Sequence, residues 1–114
     1  MSDLQQNYPP KTCEIDRLVT HQRLVDSALA GQKTQQRRNG VYGYPGETFE
    51  LGSETFVITA LERQPLGQMT EADARAEGFP DIQTYKQLII SMHPGMDWKE
   101  DHLVWVHSFQ KQVV

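Results

Sequence analysis

The spacing of apolar positions changes several times along this chain, and each change marks a new element. Leu24, Val25, Ala28 and Leu29 recur at helical spacing and form one stripe. Thr20 stands ahead of them as an N-cap, and Gly31 stands where helices commonly close in a left-handed residue. The period then shortens. Residues 47–51 and 54–61 read as strands, the second with Phe56, Ile58 and Ala60 on one face. Between them Gly52-Ser53, glycine first, suits a II′ hairpin turn. Asn39-Gly40 and Tyr44-Pro45-Gly46 are turn signals, and residues 14–19 suit a short strand. Thr70 followed by Asp73 predicts a capped helix start that stops at Gly78. Asp81 caps a further helix with Ile82, Tyr85, Ile89 and Met92 on its stripe, ended by His93-Pro94-Gly95. Residues 103–109 carry apolar side chains on both faces, as a central strand does.

The order is helix, strands, two helices, strand, without regular βαβ alternation. This predicts an α+β domain with a small mixed or antiparallel sheet curled towards a barrel. The 114 residues suffice for one core. Residues 1–12 read as a mobile N-terminal tail and 13–112 as the domain. No apolar run is long enough to cross a bilayer, and residues 1–6 lack the basic flank and apolar stretch of a signal peptide. Cys13 is the sole cysteine, which excludes an internal disulfide. The four histidines show no ligand spacing with an acid or with Cys13, so neither metal nor cofactor is expected. Together these features predict a cytoplasmic, monomeric protein without a membrane partner.

Charge adds one feature. Net charge is −4, which argues against a protein that coats nucleic acid nonspecifically. Yet residues 27–46 contain Lys33, Arg37 and Arg38 and no acid, whereas residues 47–114 contain eleven acids and five cations. If the chain is extended after Lys33, Gln36 and Arg38 share a face. Lysine, carboxamide and guanidinium would then suit a carboxylate, a phosphate or the carbonyl edge of a base. By alternation Arg37 points the other way, to solvent, unless a bulge intervenes. Tyr42, Tyr44 and Trp98 are candidates to stack on a base, Trp98 foremost because it follows a turn. His107 alternates with apolar residues and reads as a hydrogen-bonded sheet histidine.

Gly31, Lys33 and Arg38 stand in the spacing Gly-x-Lys-x-x-Ser/Thr-x-Arg, which resembles the signature of ASCH domains, whose fold is similar to the PUA domain. The preceding helix, Tyr44-Pro45-Gly46-Glu47, residues 66–79, Tyr85-Lys86, His93-Pro94-Gly95 and the last strand follow the family's order, so the resemblance spans about residues 14–110. It implies a PUA-like β-barrel with about three helices packed around it, and a cleft lined by the motif that takes RNA or a modified nucleoside. One small bacterial branch hydrolyses the amide of N4-acetylcytidine with the motif lysine, the motif threonine and a downstream glutamate. Lys33 matches the lysine and Glu77 the glutamate, but Gln36 stands at the threonine position. A carboxamide can neither attack a carbonyl nor relay a proton as an activated hydroxyl does. Thr34 has the same strand parity but lies about 7 Å from that point in a regular strand. Alternatively Glu77 would activate water while Lys33 polarises the amide oxygen. The readings are therefore a binding module, with Arg38, Gln36, Arg37, Trp98 and Tyr44 as binding residues; an amidohydrolase using Lys33, Glu77 and Thr34; and a regulatory domain for a small anionic metabolite. If Lys33, Arg38 and Glu77 form the site, their side-chain ends should line one pocket within about 8 Å of each other; finding them on separate faces would exclude both of the first two readings.

Overall fold

A computed structural model describes residues 8–92, 95 and 97–112. After a 3-10 turn at Ile15–Arg17 come helix α1 (Gln22–Leu29) and strands β1 (Gln35–Arg38), β2 (Thr48–Leu51) and β3 (Glu54–Pro65). A second 3-10 turn, Leu66–Gln68, leads to helices α2 (Glu71–Ala76) and α3 (Ile82–Met92) and to strand β4 (Leu103–Lys111).

The sheet order is β1-β4-β3-β2, and every ladder is antiparallel. Strand β4 lies between β1 and β3, as its two apolar faces predict. A register shift at Ile58/Ala60 puts a bulge in β3. Bulges bend a strand and sharpen its twist, and here the sheet curls into a half-barrel with the helices around it. In the hairpin between β2 and β3, Gly52 has φ +61° while Ser53 has no positive φ, as a II′ turn requires.

The core inside the curl is Leu18, Val19, Ala28, Phe49, Leu51, Phe56, Ile58 and Phe109. Phe109 meets Phe49 and Phe56 edge-on at 5.5 and 5.9 Å between ring centroids. A second cluster joins Met69, Ala74, Phe79 and Tyr85, with Trp98 packed against it. Between the two, Leu24 of α1 touches both.

Several local expectations change. The stretch 14–19 is a 3-10 turn, not a strand: Leu18 and Val19 are buried in the core, and the Arg38 guanidinium takes the carbonyls of Arg17 and Leu18 that a ladder would have used. Helix α1 is capped by His21, whose Nδ1 accepts the Arg23 N–H at 3.3 Å, and not by Thr20. Strand β3 runs on to Pro65 because its polar end, Glu62 to Gln64, pairs with β4. The capping box of Thr70 and Asp73 is present on α2 as expected. Asp81 Oδ1 accepts the Thr84 N–H at 2.7 Å at the start of α3. That hydrogen bond holds the Asp81 carboxyl below its usual range. The His93-Pro94 helix stop lies outside the described residues. Of the stretch assigned to the tail, Tyr8 stacks on Tyr44 at 5.9 Å and the Thr12 N–H donates to the Val41 carbonyl at 2.9 Å.

Candidate functional site

The site forms where the turn after α1 meets the end of α2. Gly31 takes φ +82° and turns the chain out of α1, and Gly78 takes φ +101° just past α2. The Thr34 N–H donates to the Ala76 carbonyl at 2.7 Å, tying the two turns together. Lys33 is thereby aimed inwards at Glu77. Its Nζ donates to the carbonyls of Gln35 (2.6 Å) and Glu77 (2.7 Å) and lies 3.5 Å from Glu77 Oε1.

Arg37 completes the cluster. Its Nη1 donates to Glu77 Oε2 at 2.8 Å and to Gln35 Oε1 at 3.0 Å, and its Nη2 donates to Gln64 Oε1 at 2.8 Å. Asp73 Oδ2 lies 3.6 Å from Nη2. Each oxygen of Glu77 therefore faces a different cation. Lys33 and Glu77 are each only 1% exposed and Arg37 5%. Charges buried this deeply persist only when paired and hydrogen-bonded, and these are both. Burial pushes the Lys33 ammonium below its usual pKa; the Glu77 charge and hydrogen bond oppose that, while Arg38 and Arg37 reinforce it. Burial, aided by the Glu77 charge, pushes the Tyr85 hydroxyl up.

Strand parity decides which residues meet. Strand β1 pairs with β4 without a bulge, so the alternate residues Lys33, Gln35 and Arg37 share a side: Lys33 and Arg37 meet the Glu77 carboxylate, and Gln35 bonds to both cations. The expected convergence of Lys33 with Gln36 and Arg38 does not form. Arg37, expected in solvent, is buried because Glu77, Asp73 and Gln64 cover its side of β1. Arg38 is half-buried; it donates from Nη2 to the Leu18 carbonyl at 2.6 Å and lies 5.2 Å over the Tyr42 ring. Each of the three cations of the basic stretch is thus already engaged.

A cavity of about 790 Å³ opens beside this cluster. Gln36, Arg37, Arg38 and Glu77 line it together with the aromatic side chains of Tyr42, Phe79, Tyr85 and Trp98. Trp98 is held edge-on to Tyr85 at 6.1 Å, and its Nε1 donates to Glu100 Oε2 at 2.6 Å. Lys33 is not among the lining residues; it sits behind Glu77. Thr34 is exposed, and neither it nor Tyr44 lines the cavity. The Tyr44 hydroxyl instead donates to the Pro9 carbonyl at 2.8 Å.

Two buried side-chain atoms among the described residues have no hydrogen-bond partner, Gln36 Oε1 and Arg37 Nε. Leaving such an atom unpaired costs about 1–3 kcal/mol. Across the ladder from Gln36, on β4, lies His107, fully buried. Its Nε2 accepts the Tyr42 N–H at 3.0 Å, so Nδ1 carries the proton and donates to the Gln36 carbonyl at 3.2 Å. Burial pushes its pKa down to about 4, partly offset by its backbone hydrogen bonds. Its role is to hold β1 and the Tyr42 backbone in place.

Gln35 was recoverable from parity with Lys33 and Arg37. Nothing local marks Gln64, Asp73 or Tyr85 as neighbours of the site. Among the described residues no His, Cys, Asp or Glu cluster could hold a metal ion, and no helix is long and apolar enough to cross a membrane.

No family model matches the chain, and no curated protein matches it. Solved structures do. An ASCH domain from Lactobacillus crispatus superposes with a TM-score of 0.70 at 14% identity, covering 97% of this chain and 85% of that one. A protein from Enterococcus faecalis with the family description DUF984 superposes with a TM-score of 0.60 at 17% identity, covering 79% of this chain and 67% of that one. At such identities the likeness speaks for the fold: this is an α+β domain built as an ASCH domain is.

Proposed function

We propose that this chain is an ASCH-domain protein whose cavity binds a base of RNA or a modified nucleoside without chemistry of its own. The observation that carries this reading is the state of Lys33. Its ammonium already has three acceptors, and it lies behind Glu77 rather than on the cavity wall. To polarise a substrate carbonyl it would have to break a buried hydrogen bond. The cavity itself suits a flat ring: its volume falls within the ligand-pocket range of about 300–1,000 Å³, and Trp98, Tyr42 and Tyr85 offer aromatic surface.

A second reading, hydrolysis of an N4-acylated cytidine, is favoured by one fact: Glu77 lines the cavity with Lys33 beside it. A small anionic ligand is disfavoured because Lys33, Arg37 and Arg38 already have acceptors.

The readings separate in one experiment. Wild-type protein and Trp98→Phe are titrated with cytidine and N4-acetylcytidine while acetate is measured. Binding is expected to change the fluorescence of wild type and not that of Trp98→Phe, with no acetate above the buffer blank. Acetate release that Lys33→Ala abolishes would overturn the binding-only reading in favour of hydrolysis.

A further inference from the structure

Gln36 occupies the position where the ASCH signature has a hydroxyl residue, and its surroundings indicate what it does there. The residue is 8% exposed, and it lines the cavity. Its Nε2 makes one long contact, 3.4 Å, to the Arg37 carbonyl, while its Oε1 has no donor. The next residue, Arg37, also lines the cavity and has its Nε–H unpaired, although both its Nη atoms are engaged. The two atoms belong to adjacent residues of β1, whose side chains alternate between faces, so Gln36 Oε1 is the unpaired acceptor on its own face of the strand. The charges of Lys33 and Arg37 are already balanced by Glu77 and Asp73, and those of Arg38 by carbonyls and a ring. What Gln36 still lacks is a neutral donor, not an anion.

We propose that Gln36 reads the edge of an uncharged heterocycle, whose N–H donates to Gln36 Oε1. This rests on the nucleoside-binding reading and adds its selectivity: the ring edge is recognised here, and phosphate is not. An N–H donor beside an acceptor is the common feature of nucleobase hydrogen-bonding edges: an exocyclic amine beside a ring nitrogen in cytosine and adenine, a ring N–H beside a carbonyl in uracil. Glutamine can serve either as donor or as acceptor, and here its acceptor is the free half.

The test is calorimetric titration of cytidine, adenosine, uridine and sodium phosphate into wild type, Gln36→Leu and Gln36→Glu. Loss of one buried hydrogen bond predicts about tenfold weaker nucleoside binding by Gln36→Leu. Gln36→Glu, which keeps an acceptor at the same reach, should recover most of it. Gln36→Leu should also melt close to wild type, because it removes one long contact together with an unpaired acceptor. A nucleoside that binds Gln36→Leu as tightly as wild type would sink this inference while leaving the cavity's function intact. Phosphate that binds wild type and displaces the nucleoside would show that the wall reads an anion instead. If none of the three nucleosides binds wild type, the function reading fails and this inference falls with it.

Discussion

Replacing Glu77 by alanine tests the buried cluster most directly. Among the described residues Glu77 is the single acid that touches both Lys33 and Arg37, and the three side chains are almost wholly out of water. Its loss leaves two cations facing each other behind the cavity. Breaking a buried ion pair by removing one partner costs about 3–5 kcal/mol. A domain of this size has a total stability of about 5–15 kcal/mol. The melting temperature should therefore fall by about 12 °C or more, at about 4 °C per kcal/mol. The deficit should also depend on pH. Glu77 is what raises the pKa of Lys33 against burial, so without it the folded-state value drops further. The unfolded lysine holds its proton up to about pH 10.4. Between those two values the unfolded chain binds more protons, so stability rises with pH. The gap between wild type and Glu77→Ala should narrow from pH 7 to pH 10 as Lys33 sheds its charge. It should not close, because Arg37 cannot be deprotonated. Urea unfolding at both pH values gives the numbers. A loss below about 1 kcal/mol at pH 7, the worth of a surface pair, would refute the claim that this cluster is a buried, mutually dependent unit.

Two further outcomes follow from the same geometry. His107 stays neutral in the folded protein down to about pH 4, against 6.5 for a free histidine. The unfolded chain therefore takes up a proton first, and stability should fall by about 3 kcal/mol between pH 6.5 and 4. His107→Gln should remove that slope in urea titrations, and an imidazole NMR titration should place the midpoint near the lower value. At Gly78, whose φ is +101°, an added Cβ would lie 3.2 Å from Ser27 Oγ. Gly78→Ala should cost about 1–2 kcal/mol from the left-handed backbone alone, read as a lower urea midpoint with an unchanged slope.

What could be read from the chain was what neighbours within a few residues decide. The Thr70–Asp73 capping box, the Gly52 turn and the alternation of β4 each depend on short-range geometry, and each stands in the structure as patterned. The segment 14–19 failed that reading because its backbone is satisfied from a distance, by Arg38. The candidate site lies at the other extreme. Lys33 and Glu77 are 44 positions apart, and Arg37 and Gln64 are 27 apart. No local pattern links them; only the family resemblance put Glu77 opposite Lys33. Charge counting marked residues 31–38 as a basic stretch free to receive an anion. Folding settled the question differently, because β1 presents its odd-numbered side chains to the end of α2, where an acid awaits them. The sequence alone determined that cations cluster after the first helix. Tertiary structure decided that they are engaged from within, and that the unpaired buried atoms belong to an amide and a guanidinium of two residues that line the cavity.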